Sequence, residues 1–206
     1  MADQLSFFDN GQSLVFPQNL LEYYPDFLDA NESAQLLDRF IRTVPWMQPM
    51  IKMYGKKLLT PRLTAWFGDP KSHYSYSGSR FDPMPWTEEL ASLRTRIQHH
   101  TGLSFNSVLL NYYRDGNDSV AWHADNEKEL GPKPDIASLS LGQPRSFDFR
   151  NKANHQLKYE LTLQSGSLLI MRGDLQNYWE HRIPKSNKPM RPRINLTFRT
   201  IRAYLS

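Results

Sequence analysis

His123 and Asp125 stand two residues apart in Trp122-His123-Ala124-Asp125, and His181 follows much later in the chain. On an extended segment, residues two apart point to the same side of the backbone, so an imidazole and a carboxylate share a face that a later histidine can close. Two imidazoles and one carboxylate, with the remaining positions open, suit a non-haem Fe(II) centre that must also hold a co-substrate and oxygen. Alone, His-x-Asp is more often a surface or satisfied core pair than a ligand pair. The stretch Arg193-Ile194-Asn195-Leu196-Thr197-Phe198-Arg199 changes that weighing. With a period of two it puts Ile194, Leu196 and Phe198 on one face and Arg193, Asn195, Thr197 and Arg199 on the other. Two arginines on the inner face of such a strand are expensive to bury without anions, which a dicarboxylate ligand would supply.

The elements that must hold these residues are mostly short strands. After Gly102, extended segments are expected over 106–113, 119–123, 136–141, 146–150, 157–163, 167–171, 181–183 and 193–201, with turn signals at Gly116, Gly131-Pro132, Gly142, Asn151, Ser165-Gly166, Gly173 and Pro184. Many short strands at this spacing indicate a sandwich or barrel, whose mouth is a natural ligand site. Ahead of them, Asp29 with Glu32 three residues on forms a capping box for a helix carrying Leu36, Leu37, Phe40, Ile41 and Val44, ended by Pro45. A second helix is expected from about Thr87 to His100, with Leu90, Leu93 and Ile97 on one face and Gly102 as its stop. Residues 1 to about 28 read as an irregular aromatic-rich arm, and the glycine, proline and serine punctuation from Met47 to Pro85 suggests surface hairpins rather than core strands.

At 206 residues, 39% hydrophobic and 22% charged, the chain has the size and composition of one soluble globular domain. Its 13% aromatic content fits a core of large side chains and equally a surface that stacks on bases. A net charge of +4 permits a polyanionic partner without requiring one. The absence of cysteine excludes a disulfide framework and a thiolate metal site. The chain starts without the basic-then-apolar run of a signal peptide and has no apolar stretch near the roughly 18 residues of a spanning helix. A soluble cytoplasmic protein with no membrane association is expected, nucleoid-associated in a bacterium or nuclear in a eukaryote, and acting as a monomer.

Asn111-Tyr112-Tyr113-Arg114-Asp115-Gly116, His123-Ala124-Asp125, Ala137 to Gly142, Gly166 to Met171, His181-Arg182-Ile183-Pro184 and Pro192 to Arg199 follow one another in an order that resembles the AlkB family of Fe(II)- and 2-oxoglutarate-dependent dioxygenases, which repair alkylated nucleobases. The resemblance covers most of the chain, from about residue 50 to 202. It is nearest the bacterial and animal homologues that carry Pro-Arg-Leu-Thr-Ala-Trp, here residues 61–66, before the core. It implies a mainly β protein with flanking α-helices: a double-stranded β-helix, or jelly roll, at 105–206, preceded over 1–104 by an arm, helices and nucleotide-recognition hairpins in a single domain.

The same resemblance places roles on residues. His123, Asp125 and His181 would ligate Fe(II). Arg193 would pair with the distal carboxylate of 2-oxoglutarate, helped by Asn111 and Tyr113, and Asn195 and Arg199 would serve the metal-chelating end. Guanidinium suits both tasks because it stays charged and grips carboxylate with two parallel hydrogen bonds. Glu127 sits where the family has an acidic residue near the target base, though an exposed acid needs no such role. Trp66 and Tyr76 lie in the segment that lines the base pocket in relatives, with core burial as the competing account. Arg145 is placed to face the pocket from the strand expected over 146–150, with its role left open. Tyr54, beside Gly55 and Lys56-Lys57, resembles the hairpin tip that fills the gap left by a flipped base, or is one exposed aromatic on a loop. Lys152 and His155 could touch phosphates or lie on a solvated turn.

The implied reaction uses O2 and 2-oxoglutarate to remove N-methyl groups from 1-methyladenine and 3-methylcytosine, and the implied partner is nucleic acid, methylated DNA first and RNA second. Bases of this kind cost least to extrude from the stack. Two other readings stay open: the same chemistry on RNA or a protein side chain, and a non-catalytic barrel that binds nucleic acid.

Overall fold

The computed structural model describes residues 20–53, 56–70, 72, 74–76 and 79–202. In chain order they form β1 (Leu21–Tyr24), α1 (Ala30–Thr43), β2 (Met50–Met53), β3 (Lys56–Leu59), β4 (Leu63–Gly68), β5 (Tyr74–Tyr76), β6 (Ser79–Phe81), α2 (Glu88–Thr101), β7 (Ser107–Tyr113), β8 (Val120–His123), β9 (Ile136–Gly142), β10 (Arg145–Asn151), β11 (Lys158–Leu163), β12 (Leu168–Met171), α3 (Leu175–Tyr178), β13 (Trp179–Ile183) and β14 (Arg193–Arg199). A 3-10 turn spans Lys128–Leu130.

The strands assemble into two antiparallel sheets, a six-stranded one in the order β1-β12-β9-β14-β7-β4 and a four-stranded one in the order β11-β10-β13-β8. Two hairpins, β2-β3 and β5-β6, stand apart from both. This is the jelly roll that the family resemblance implies, and a form of the sandwich or barrel expected from the strand spacing. The large sheet is covered on both faces. On one side the helices bring Phe40, Leu90, Leu93 and Ile97 against Val108, Leu110, Leu139, Ile194, Leu196 and Phe198. On the other, Tyr113, Ile136, Leu169 and Met171 meet Phe147, Phe149, Leu163 and Ile183 of the small sheet. Burying each large aliphatic or phenyl side chain contributes about 1.5–3 kcal/mol, so the helices bind the large sheet through many modest increments.

Both helices start and stop where the sequence places them. The Asp29 carboxylate accepts from the Glu32 N–H at 2.8 Å, and Thr87 accepts from Leu90 N–H. Gly102 ends α2 with φ +70°, a left-handed conformation that costs glycine little. The reciprocal half of the α1 capping box gives way to something else. The Glu32 carboxylate accepts two bonds from Arg96 of α2, whose other amino group donates to the Phe27 carbonyl, so the acid ties α1 to α2 instead of closing back on its own cap.

Two expectations about the N-terminal half need correction. The supposed irregular arm contains β1, an edge strand laddered to β12 from Leu21–Met171 to Tyr24–Leu168. The stretch from Met47 to Pro85 does hold two hairpins, but it also holds β4, which pairs with β7 and buries Ala65, Trp66 and Phe67. The large sheet therefore draws on residues both before and after 104. No helix among the described residues is long and apolar enough to cross a membrane.

Candidate active site

The three candidate ligands come from two neighbouring strands and the segment just beyond one of them. His123 on β8 pairs across the ladder with His181 on β13, and their ring centroids lie 4.3 Å apart. Asp125 follows the end of β8 in irregular backbone. Ligand atoms of all three lie within 4.8 Å of one another. The His123 Nδ1 is 2.8 Å from the Ala121 carbonyl, which can only accept a hydrogen bond from Nδ1–H and so leaves the Nε2 lone pair turned toward the cluster. His181 is buried, and burial, with His123 adding to it, pushes its pKa down to about 3. The ring is therefore neutral and able to ligate at neutral pH. Burial by itself would raise the Asp125 carboxyl, but the charge and hydrogen bond of the Arg199 guanidinium at 2.9 Å outweigh it and hold the carboxyl below its ordinary range.

The second charged group sits on β14, where the two-residue period holds along the whole strand. Ile194, Leu196 and Phe198 enter the helix-side core, while Arg193, Asn195, Thr197 and Arg199 face the space between the sheets. Arg193 is only 1% exposed. Its Nη2 donates to the Ser140 hydroxyl at 3.0 Å, its guanidinium carbon lies 5.2 Å from the Tyr113 ring centroid, and Nε and Nη1 have no hydrogen-bond partner among the described residues. Burial pushes its pKa down to about 10, leaving it charged at neutral pH. An ion taken out of water without full compensation costs several kcal/mol, and orphaned donors on a guanidinium in a cavity wall are what a carboxylate ligand would satisfy.

These groups line one cavity of about 650 Å³ between the sheets. It also takes in Trp66, Asn111, Tyr113 and Glu127, so most of the residues singled out in the sequence are brought together. Asn111 accepts from Arg62 Nε at 2.7 Å through its carbonyl oxygen, which leaves its amide N–H groups for a ligand. Asn195 differs: both its amide hydrogens are committed, to Ser138 Oγ and the Leu139 carbonyl, and its oxygen accepts from Thr197. It acts here as a spacer that fixes the strand's inner face. Trp66 packs with Leu130 and Ile201, donates from Nε1 to the Ser72 carbonyl and also lines the cavity.

Arg145 does not face the pocket. Its guanidinium donates to the carbonyls of Asp115, Asp118 and Pro184, and three backbone acceptors hold it behind Tyr113 as a strut between loops. Lys152 likewise donates its ammonium to the Gln176 carbonyl at 2.7 Å. Tyr54 lies outside the described residues. The backbone of Tyr76 belongs to β5, but its side chain, on which the pocket reading rests, is outside them too. Sequence reasoning missed Arg62, which orients Asn111, and Gln176, which contacts Asp125. Arg62 sits in the Pro-Arg-Leu-Thr-Ala-Trp stretch and was within reach; Gln176 lies in a single helical turn that periodicity does not register.

The jelly roll, the His-Asp-His cluster and the buried arginine in one cavity match the fold and site of the iron- and 2-oxoacid-dependent oxygenase family. The chain belongs to the 2OG-Fe(II) oxygenase superfamily, whose family model matches residues 20–199, and within it to the AlkB homologues. It is 43% identical over 187 residues to alpha-ketoglutarate-dependent dioxygenase alkB homolog 3 of Mus musculus, covering 86% of this chain and 65% of that protein. It is 36% identical over 180 residues to DNA oxidative demethylase ALKBH2 of Homo sapiens, covering 84% and 69%. The chain thus spans a little under two thirds of the homolog 3 proteins. The structure of OsALKBH1 superposes with a TM-score of 0.64 at 17% identity, covering 88% of this chain and 98% of that one, a likeness of fold.

The residues present fit both groups the family implies. The N, N, O donor set suits Fe(II), and the orphaned Arg193 donors suit a carboxylate of 2-oxoglutarate.

Proposed function

We propose that this protein is an Fe(II)- and 2-oxoglutarate-dependent dioxygenase that removes N-methyl groups from nucleobases in DNA, 1-methyladenine and 3-methylcytosine first. The observation that carries the reading is the pairing, in the lining of one cavity, of the His123-Asp125-His181 cluster with a buried arginine that has two donors without a hydrogen-bond partner. Bound iron would supply oxidation of the N-methyl carbon at the expense of O2 and 2-oxoglutarate, with formaldehyde, succinate and CO2 as products.

The chain's own contribution is orientation. Arg193, with Ser140 holding one of its nitrogens, would receive the co-substrate's far carboxylate, and Asn111, turned by Arg62, would donate beside it. Arg199 holds Asp125 ionised and fixed in place. A flipped base would enter between Trp66 and Glu127, an aromatic face and an acid on the cavity wall, suited to stacking and to receiving an exocyclic amino group. The names of the human and mouse relatives support dioxygenase chemistry and, for one of them, DNA as its object.

The test uses purified protein loaded anaerobically with Fe(II), then given 2-oxoglutarate and air with matched single-stranded DNA, duplex DNA and RNA carrying 1-methyladenine or 3-methylcytosine. Mass spectrometry is expected to show methyl loss that requires both 2-oxoglutarate and Asp125, with Asp125→Ala as the control. Succinate without any change in the oligonucleotides keeps the iron chemistry but moves the substrate elsewhere, for example to a protein side chain. Neither product from iron-loaded protein leaves the non-catalytic barrel as the reading.

A further inference from the structure

Asp125 is the ligand with the least backbone support. The β8-β13 ladder pairs His123 with His181 and Val120 with Ile183, with an irregular register between them, and residues 124–127 run on without regular structure. The Asp125 N–H therefore has no strand partner, and a buried N–H without an acceptor is costly. It finds one in Gln176, whose Oε1 accepts it at 2.9 Å. The orientation of this amide follows from chemistry: a backbone N–H can only donate, so the oxygen faces Asp125, and the Nε2 is left with the weak Met171 sulfur acceptor at 3.7 Å.

Gln176 is itself 1% exposed and fixed from both sides. It belongs to α3, a single turn that leads directly into β13, where His181 lies. Its carbonyl accepts the Lys152 ammonium, and the Lys152 N–H donates to the Tyr178 carbonyl, so the turn after β10 grips α3 twice. One short element thus carries His181 through the chain and holds Asp125 through a side chain.

We infer that Gln176 is a positioning residue that sets the distance between Asp125 and His181 and so determines how tightly the cluster binds a divalent metal. The inference rests on the reading that His123, Asp125 and His181 are metal ligands. Removal of outer groups that orient metal ligands typically costs about 10–100-fold in affinity, and a loss of that size is expected here.

The test measures Co(II) binding by calorimetry and by the visible d–d spectrum, with thermal melting of the metal-free protein alongside. Gln176→Met keeps length and volume but removes the acceptor; Gln176→Glu keeps an oxygen at the same reach. Expected are a Co(II) Kd raised about 10–100-fold and a changed d–d spectrum for Gln176→Met, and recovery to within about threefold of wild type for Gln176→Glu. Should Gln176→Met fail to fold, Gln176→Asn takes its place, keeping the amide but ending one methylene short of the Asp125 N–H. Wild-type Co(II) affinity and spectrum in a folded variant of either kind overturn the inference. Asp125→Ala separates the two failures: if it binds Co(II) as well as wild type does, the ligand reading itself is wrong, whatever Gln176 does.

Discussion

Strand β14 and the segment from Val120 to Glu127 both deliver charged groups to one cavity, and they hold them in opposite ways. β14 is an inner strand, laddered to β7 along one edge and β9 along the other, and all seven of its residues are buried. Arg193 and Arg199 take their directions from a backbone with little freedom. β8 is an edge strand with an irregular ladder, and Asp125 lies past its end, held by Gln176 and Arg199. The proposed anion-binding side is therefore fixed by the sheet, whereas the proposed metal side depends, at Asp125, on side chains. The first tolerates an energetic cost in the form of the unsatisfied Arg193 donors; the second depends on individual hydrogen bonds.

The largest effect should come from breaking the metal side at its centre. Asp125→Ala is expected to abolish Co(II) binding and reduce 2-oxoglutarate turnover below detection, measured by calorimetry and by succinate release. A substantial residual turnover in that variant would mean that the cluster is not the seat of the chemistry.

Arg193→Met addresses the other side and should separate function from stability. Two charge-assisted hydrogen bonds at about 1.5 kcal/mol each correspond to a rise in the 2-oxoglutarate Kd on the order of a hundredfold. Because the change removes an incompletely compensated buried ion and replaces it with a flexible apolar chain, the melting midpoint of the ligand-free protein should stay level or rise. A large fall in the midpoint would show that Arg193 is integral to the fold and blur the contrast with the metal side.

A third comparison sets β14 against the β2-β3 hairpin, whose flanking residues Pro49 and Thr60 line the cavity. Leu196 is fully buried among the helix-side core residues, and Leu196→Ala should cost about 2–5 kcal/mol, read from urea midpoints. Leu58 and Leu59 of β3, with Met50 of β2, are exposed, Met50 at 63%. Leu58→Ala and Leu59→Ala should each move stability by no more than about 0.5 kcal/mol. Any effect they have on methylated oligonucleotides would then reflect a surface that meets substrate, measured as a change in oligonucleotide KM at constant 2-oxoglutarate KM.

The same contrast explains what could be read from the residues in order. The inner face of β14 was legible because an inner strand imposes a strict two-residue period, and the polar residues Arg193 to Arg199 stood out against the apolar alternates. The His-x-Asp pair was legible for the same reason, and the helices announced themselves through Asp29, Thr87 and Gly102. What escaped depends on partners far away in sequence. β1 is four residues long and is a strand only because β12 offers it an edge. β4 sits among glycines and prolines that suggest surface turns, yet β7 recruits it to the sheet. Arg145 has the residue type of a ligand contact, and three carbonyls from two loops claim it first. Gln176 carries no charge and sits in a helix of one turn, so no period marks it.

A smaller effect than that of Leu196→Ala concerns the connection between the two sides, the turn from β7 to β8. Asp118 holds it: its carboxylate accepts from the Arg114 N–H, Nε and Nη2, while Arg145 secures the Asp115 and Asp118 carbonyls from behind. Burial tends to raise the Asp118 carboxyl, but the hydrogen bonds and charge of Arg114 prevail and hold it below its ordinary value. A carboxylate with a depressed folded-state pKa stabilises the fold above its unfolded pKa, and that contribution disappears as pH falls through the folded value. Asp118→Asn keeps one acceptor oxygen and loses the charge, so it should cost about 1 kcal/mol at pH 7. The difference between variant and wild-type urea midpoints should shrink steadily below about pH 4. If the turn couples the rigid sheet to the supported edge, the variant's Co(II) affinity should also fall slightly while its affinity for 2-oxoglutarate is unchanged. An equal loss in both would show that the two sides share one support, and the distinction between them would be lost.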